Sequence, residues 1–147
     1  MKVKDCMCDS VVWISPDVSV CDCAKIMKDK HVGCIPICND NKNVVGVITD
    51  RDIILRCTTF NTDCKCTPIS DVMTTNICCC PSDVDLKEAE KLMSENKVRR
   101  LPVVEDDKIV GILTIGDLAL DNNVEADRVG KTLENISSSK GNQINNS

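Results

Sequence analysis

The chain has 147 residues, enough for one compact domain or for two small halves that share a core. Its 42% hydrophobic and 28% charged residues are globular values, and no apolar run approaches the roughly 18 residues that a membrane span needs. A formal charge of −5, with Trp13 and Phe60 the only aromatic residues, argues against a basic nucleic-acid face and against a platform for stacking bases.

The N-terminus, Met1-Lys2-Val3-Lys4-Asp5, leads into polar sequence rather than an apolar signal segment, so a cytoplasmic location is expected. Twelve cysteines would suggest a disulfide framework in a secreted chain. Here several stand as tight pairs or runs (Cys6/Cys8, Cys21/Cys23, Cys64/Cys66, Cys78–Cys80), which are poorly placed to staple distant segments. Most are read as reduced thiols packed as small hydrophobes.

In chain order, the first predicted element is a short β-branched segment, Val11–Ile14, bounded by Pro16. A helix follows, with Ser19 and Asp22 as a box-like N-cap and Val20, Ala24 and Met27 on one face. Two apolar strands, Cys34–Cys38 and Val44–Ile48, precede a second helix over Arg51–Cys57. Thr67-Pro68 then marks the entry to a short helix before Met73. The same order returns: a strand at Asn76–Cys79 bounded by Pro81, then a helix capped by Asp85 with Glu88, carrying Leu86, Ala89 and Met93 on one face. Strands Leu101–Val104 and Ile109–Leu113 and a helix over Gly116–Asp121 complete the second set. An amphipathic stretch (Val124, Val129, Leu133, Ile136) is expected to cover a surface, and the Ser- and Asn-rich tail from Ser137 to be disordered.

This recurrence is an internal duplication. Asp17–Cys38 aligns with Asp83–Val104 at a shift of 66, with identities at Asp17/Asp83, Val18/Val84, Lys25/Lys91, Met27/Met93, Val32/Val98 and Pro36/Pro102. One residue is then lost in the loop, and Val44–Ile53 matches Ile109–Leu118 at a shift of 65, including Gly46/Gly111, Thr49/Thr114 and Asp52/Asp117. Asp5-Cys6-Met7 also aligns with Asp71-Val72-Met73. The fold class is α+β: two β-α-β-β-α halves whose sheets pack together with helices outside, since neither half alone buries much surface. The boundaries read as 1–60 for the first motif, 61–70 for a linker, 71–123 for the second motif, 124–136 for a C-terminal helix and 137–147 for the tail.

The candidate site is the segment Gly46–Asp52 and its copy Gly111–Asp117, each placing Thr and Asp three residues apart where a strand becomes a helix. First-turn N–H groups lack intrahelical partners there. A carboxylate suits the vicinal hydroxyls of a ribose and a threonine hydroxyl suits a phosphate oxygen. Thr and Asp are also common N-caps, but their return at the same repeat position favours a ligand. Arg99 and Arg100, just before Leu101-Pro102, can hold a phosphate with forked donors. The first copy has Gly33 and Cys34 there instead, and Arg51 is its candidate positive charge.

The paired halves, the Leu92-Met93-x6-Arg100-Leu101-Pro102-Val103-Val104 segment and the two Gly-x-x-Thr-x-x-Asp motifs resemble tandem CBS domains, named after cystathionine β-synthase, over about Met1–Asn123. The Val-Ile-Thr-Asp-Arg-Asp-Ile stretch resembles small bacterial stand-alone members. The resemblance implies pseudo-two-fold symmetry, with two clefts between the halves that take AMP, ADP or ATP, or S-adenosylmethionine in some members, and flat homodimers. It places Thr114, Asp117, Arg99 and Arg100 in the second site with Val12 facing the adenine. Thr49, Arg51 and Asp52, facing Cys78, fall in the first site. The missing arginines at Gly33 and Cys34 set that site apart. A bound ligand would stabilise one arrangement of the halves by mass action and so signal to a separate regulated protein, an energy-sensor logic.

No catalytic constellation is evident, and His31 is the only histidine, read as an exposed or helix-terminal residue. Two other classes compete: a thiol-based redox or metal sensor using Cys64, Cys66 and Cys78–Cys80, and a dimerisation scaffold that binds no nucleotide.

Overall fold

The computed structural model describes the whole chain apart from residues 60–62, 122–123 and 147, with side chains as far as Ser138. It is an α+β protein with the element order α1 (Val3–Cys6), α2 (Val20–Lys30), β1 (Cys34–Cys38), β2 (Val44–Thr49), α3 (Asp50–Ile53), β3 (Cys80–Pro81), α4 (Leu86–Asn96), β4 (Arg100–Glu105), β5 (Lys108–Thr114), α5 (Ile115–Leu120) and α6 (Ala126–Asn146). A π-helical turn, Ile54–Thr58, continues α3, and a 3-10 turn, Ile69–Asp71, falls where Thr67-Pro68 predicts a short helix.

The chain forms two compact units. One gathers Met1–Val11, Cys78–Asp106 and Val110–Ser147; the other holds Val12–Ile77 with Asp107–Ile109. Each copy of the repeat therefore folds with the segment that precedes the opposite copy. In the first of these units Cys8 bridges Ile112 of β5, and in the second Thr74 bridges Val47 of β2.

Glycine explains both close approaches. A Cβ on Gly111 would lie 2.6 Å from Met7 Sδ and 2.8 Å from the Cys8 carbonyl, and one on Gly46 would lie 2.8 Å from Met73 Sδ and 2.9 Å from the Thr74 carbonyl. Any larger residue must push a backbone strand away.

In the Val12–Ile77 unit, β1 and β2 pair antiparallel, with a register irregularity at Ile37/Cys38. This is the copy whose loop carries the extra residue, so the change of repeat shift from 66 to 65 accompanies a bulge. Its core is built from Val20, Cys23, Ile35, Ile37, Ile48 and neighbours. In the other unit the sheet order is β3-β4-β5, with β3 parallel to β4. Asp106 and Asp107, both left-handed at φ 50° and 64°, make its tight β4–β5 turn, as a type I′ hairpin requires. Val3, Leu86, Met93, Leu101, Leu113 and Leu118 fill that core.

Several expectations need correction. The opening strands are shorter than the β-branched pattern predicts. Only Ile14 bridges Ile37 in the first copy, and in the second the strand is Cys80–Pro81 rather than Asn76–Cys79. Val12 therefore lies outside any strand. Ser19 caps α2 through Asp22 N–H at 3.1 Å, whereas Asp85 caps α4 through the N–H of Lys87 at 2.9 Å, not that of Glu88. Ala24 is exposed and Cys23 is the buried residue of that turn, the counterpart of buried Ala89.

The position equivalent to Ala24 is Glu90, which is buried because α6 crosses α4 there. Arg128 reaches Glu90 with two donors, Nη2 to Oε1 at 2.7 Å and Nε to Oε2 at 3.2 Å. Val124, Val129 and Ile136 are buried as the amphipathic pattern predicts, but Leu133 is 38% exposed and Thr132 is buried, its hydroxyl donating to the Arg128 carbonyl. The backbone from Ser137 to Asn146 is helical, where composition points to disorder. Buried Ile136 anchors the helix and no proline follows to stop it. His31, exposed, ends α2 in the left-handed conformation at φ 55°, matched by Lys97 at φ 56° after α4.

Candidate functional site

Each copy turns from strand to helix through a reciprocal pair of hydrogen bonds. In the second, Asp117 N–H donates to Thr114 Oγ1 and Thr114 N–H donates to Asp117 Oδ2, both at 3.0 Å. In the first, Asp52 N–H donates to Thr49 Oγ1 and Thr49 N–H donates to Asp52 Oδ2, both at 3.1 Å. The three-residue spacing is what lets these groups meet, and it satisfies donors that a helix start otherwise leaves unpaired. The donors that the sequence offers to a ligand at this point are thus partly used inside the motif. What each box retains is the hydroxyl proton of the threonine and the second carboxylate oxygen of the aspartate.

The surroundings differ. Asp117, half-buried, has an Oδ1 that accepts no hydrogen bond from a protein group among the described residues. Asp52 is engaged: Arg56 Nη2 lies 3.9 Å from its Oδ1, and the Thr74 hydroxyl donates to its Oδ2 at 3.4 Å. Arg56 also donates to the Val72 carbonyl and the Thr74 hydroxyl, each at 3.1 Å. Sequence reading missed Arg56; its signal was the i,i+4 spacing from Asp52. Its counterpart in the repeat is Asp121, of opposite charge.

Both junctions are tied to the preceding strand through main chain. Ile115 N–H donates to the Arg99 carbonyl at 2.9 Å, and Asp50 N–H donates to the Gly33 carbonyl at 3.0 Å. Arg99 is thereby placed beside the Thr114 box, with Arg100 opening β4; both side chains are exposed and neither forms an ion pair among the described residues. In the first copy the space over Gly33 is occupied by Asp50, whose Oδ2 would sit 3.1 Å from a Cβ there. Asp50 Oδ1 accepts from the Arg51 N–H at 2.8 Å, and the Arg51 side chain is exposed.

The structure thus brings together Thr114 with Asp117, Thr49 with Asp52, and the backbone of Arg99 with the Thr114–Asp117 box. Val12, half-buried, belongs to the unit of Thr49 and Asp52. Cys78, half-buried, belongs to the unit of Thr114 and Asp117 and accepts from Asn96 Nδ2 at 3.4 Å. Burial, and then the nearby Glu95 carboxylate, raises the Cys78 thiol above its usual range.

Cys6 lies against the second box, its Sγ 3.7 Å from the Asp117 carbonyl. Burial first, then the charges of Asp121 and Asp117, push its thiol up to about 11. It stands where the repeat has Val72, a substitution that keeps the site neutral beside two acids. Among the described residues no group of three or more His, Cys, Asp or Glu side chains is placed to hold a metal ion. No helix among them is long and apolar enough to cross a membrane.

Two halves of like topology, each with a Gly-x-x-Thr-x-x-Asp junction, define a class. The CBS domain family matches the chain twice, over residues 3–57 and 69–120, and the chain belongs to that family as a CBS pair, a regulatory module. It is similar to the CBS domain-containing protein YhcV of Bacillus subtilis, 38% identical over 92% of this chain and 94% of that one. A crystal structure of the CBS domain protein TA0289 from Thermoplasma acidophilum superposes with a TM-score of 0.77 at 31% identity, covering 92% of this chain and 75% of that one. The CBS domain pair of MJ0100, solved in complex with methylthioadenosine and S-adenosyl-L-methionine, gives 0.72 at 27% identity, covering 81% of this chain and 93% of that one.

Proposed function

We propose that this CBS pair is a non-catalytic sensor of an adenosine-containing ligand and that the Thr114–Asp117 junction is its principal contact. The observation that carries the reading is the Oδ1 of Asp117, to which no protein group among the described residues donates: a carboxylate already oriented by the Thr114 N–H, with one oxygen left to accept. Two vicinal ribose hydroxyls are the natural donors to such a group. The Thr114 hydroxyl and the exposed guanidinium groups of Arg99 and Arg100 supply donors for phosphate, or for the carboxylate of S-adenosylmethionine. AMP, ADP, ATP and S-adenosylmethionine are therefore the candidate ligands, and MJ0100 supports the adenosine part of that list.

Thr49, Arg51 and Asp52 form the secondary contact, and Val12 and Cys78 are the apolar residues proposed to meet a base. A homodimer that reports to a separate cytoplasmic protein completes the proposal. Calorimetric titration of reduced protein with each of the four ligands tests it. Saturable binding by at least one is expected, weakened about tenfold or more in Asp117→Ala, because each lost hydrogen bond to a charged group is worth about 1.5–3 kcal/mol. Folded, ligand-free protein that binds none of them would overturn the reading.

A further inference from the structure

Cys57 and Cys64 face each other with their sulfurs 3.0 Å apart. That is closer than two sulfur atoms sit in ordinary van der Waals contact, and about 1 Å longer than a disulfide bond. Cys57 lies in the π-helical turn after α3 and is fully buried in the core with Val20, Cys23 and Ile69. Cys64 is half-buried and packs against the same cluster.

Backbone hydrogen bonds hold both sides of the pair. The Cys64 carbonyl accepts from Cys21 N–H at 3.0 Å, and the neighbouring Asp63 carbonyl accepts from the N–H groups of Cys66 and Thr67 and from the Thr67 hydroxyl at 2.8 Å. On the other side, Thr59 N–H donates to the Ile54 carbonyl, and Arg56 is bound to Val72 and Thr74. The juxtaposition belongs to one copy of the repeat only, because no cysteine follows Cys80 in the chain.

We propose that Cys57 and Cys64 are a dithiol modification site that closes to an intramolecular disulfide by exchange with a small-molecule disulfide. The half-buried Cys64 thiolate attacks one sulfur of that disulfide, whose S–S bond breaks and releases one thiol. The Cys57 thiolate then attacks Cys64 Sγ and releases the second. Two protein thiols are oxidised, one disulfide is reduced to two thiols, and the two protons pass to the leaving sulfurs. The Cys64 hydrogen bond, followed by burial, pushes the Cys57 thiol up to about 11, so the closing step quickens as pH rises toward that value. This site does not rest on the nucleotide reading.

The sequence makes the test simple. Trypsin cuts after Arg56 and Lys65, so one peptide, 57–65, carries both thiols and excludes Cys66. Full-length reduced protein is incubated with oxidised glutathione until the exposed Cys8 and Cys66 carry glutathione, then unfolded, alkylated and digested. The expected peptide 57–65 is unalkylated and lighter by two hydrogen atoms, and recovers two alkylation sites after reduction. Cys57→Ser is expected to trap a glutathione on Cys64, and Cys66→Ser to leave closure unchanged. A wild-type peptide 57–65 that carries two alkyl groups, or a persistent glutathione, would overturn the proposal. So would oxidation that links Cys64 to Cys66 or Cys21 instead.

Discussion

At Thr49 and at Thr114 a strand becomes a helix through the same two hydrogen bonds, at 3.1 Å in one copy and 3.0 Å in the other. The residues around them have diverged. Arg56 covers Asp52, while Asp121 stands in the equivalent place near Asp117. Asp50 fills the space over Gly33, while the second copy has Ile115 and Arg99. Duplication has kept the backbone device and changed the charge around it, so Asp52 has an arginine beside it and Asp117 does not. The motif sets the geometry, and the non-repeated residues set the charge around each copy.

The largest break in the comparison lies away from the junctions. Only the second copy has α6 over its first long helix, joined by Arg128 and buried Glu90. Arg128→Ala leaves a buried carboxylate unpaired and is expected to cost about 3 kcal/mol in urea unfolding. Ala24→Glu, which places the same acid on the first copy's exposed position, is expected to change stability by less than about 0.5 kcal/mol.

The glycines sharpen what the copies share. Gly46→Ala and Gly111→Ala each drive a Cβ into a backbone carbonyl, and each is expected to cost about 1–3 kcal/mol by the same assay. Similar losses would show that the crossing segments Met7-Cys8 and Met73-Thr74 are equally tied; a loss in only one would break the symmetry.

Alkaline pH tests cores that both copies line with thiols. Burial raises Cys23 from 9.0 to about 11, burial and then neighbouring charges raise Cys80 and Cys6 to about 11, and the Cys64 hydrogen bond followed by burial does the same for Cys57. Each thiol is raised on folding, so its contribution is complete below about pH 9 and is lost as pH climbs toward 11. Unfolding free energy should fall as pH rises above 9, and Cys80→Ala should lessen that fall. Among the substitutions that remove a contact, the smallest loss is expected for Arg56→Ala, which takes contacts from a side chain 46% exposed and should cost about 1 kcal/mol, while freeing Asp52 to act more like Asp117.

Much of this was legible in the sequence because the duplication let each copy check the other. The β1–β2 and β4–β5 pairs, the strand-to-helix junctions and the one-residue difference between the two loops all follow from aligned residues, whereas Thr and Asp were read as ligand contacts and prove to cap each other. Ala24 shows the limit: its helical spacing fits a core face as well as that of Cys23, and only the Cys23/Ala89 alignment tells them apart. The opening strands misled because Val, Ile and Cys raise β propensity, whereas pairing there is limited to Ile14 in one copy and Cys80–Pro81 in the other. Arg56 and the Cys57–Cys64 contact were hidden for a different reason. Neither recurs in the second copy, so nothing in the repeat points to them.

The most direct test of unequal junctions is equilibrium dialysis of labelled AMP and S-adenosylmethionine against wild type, Asp117→Asn and Asp52→Asn. Asparagine keeps an oxygen for the backbone box and removes the charge, so the fold is preserved. The account predicts that Asp117→Asn loses the tighter binding and Asp52→Asn retains it. Full binding by Asp117→Asn, or its loss in Asp52→Asn alone, would contradict it.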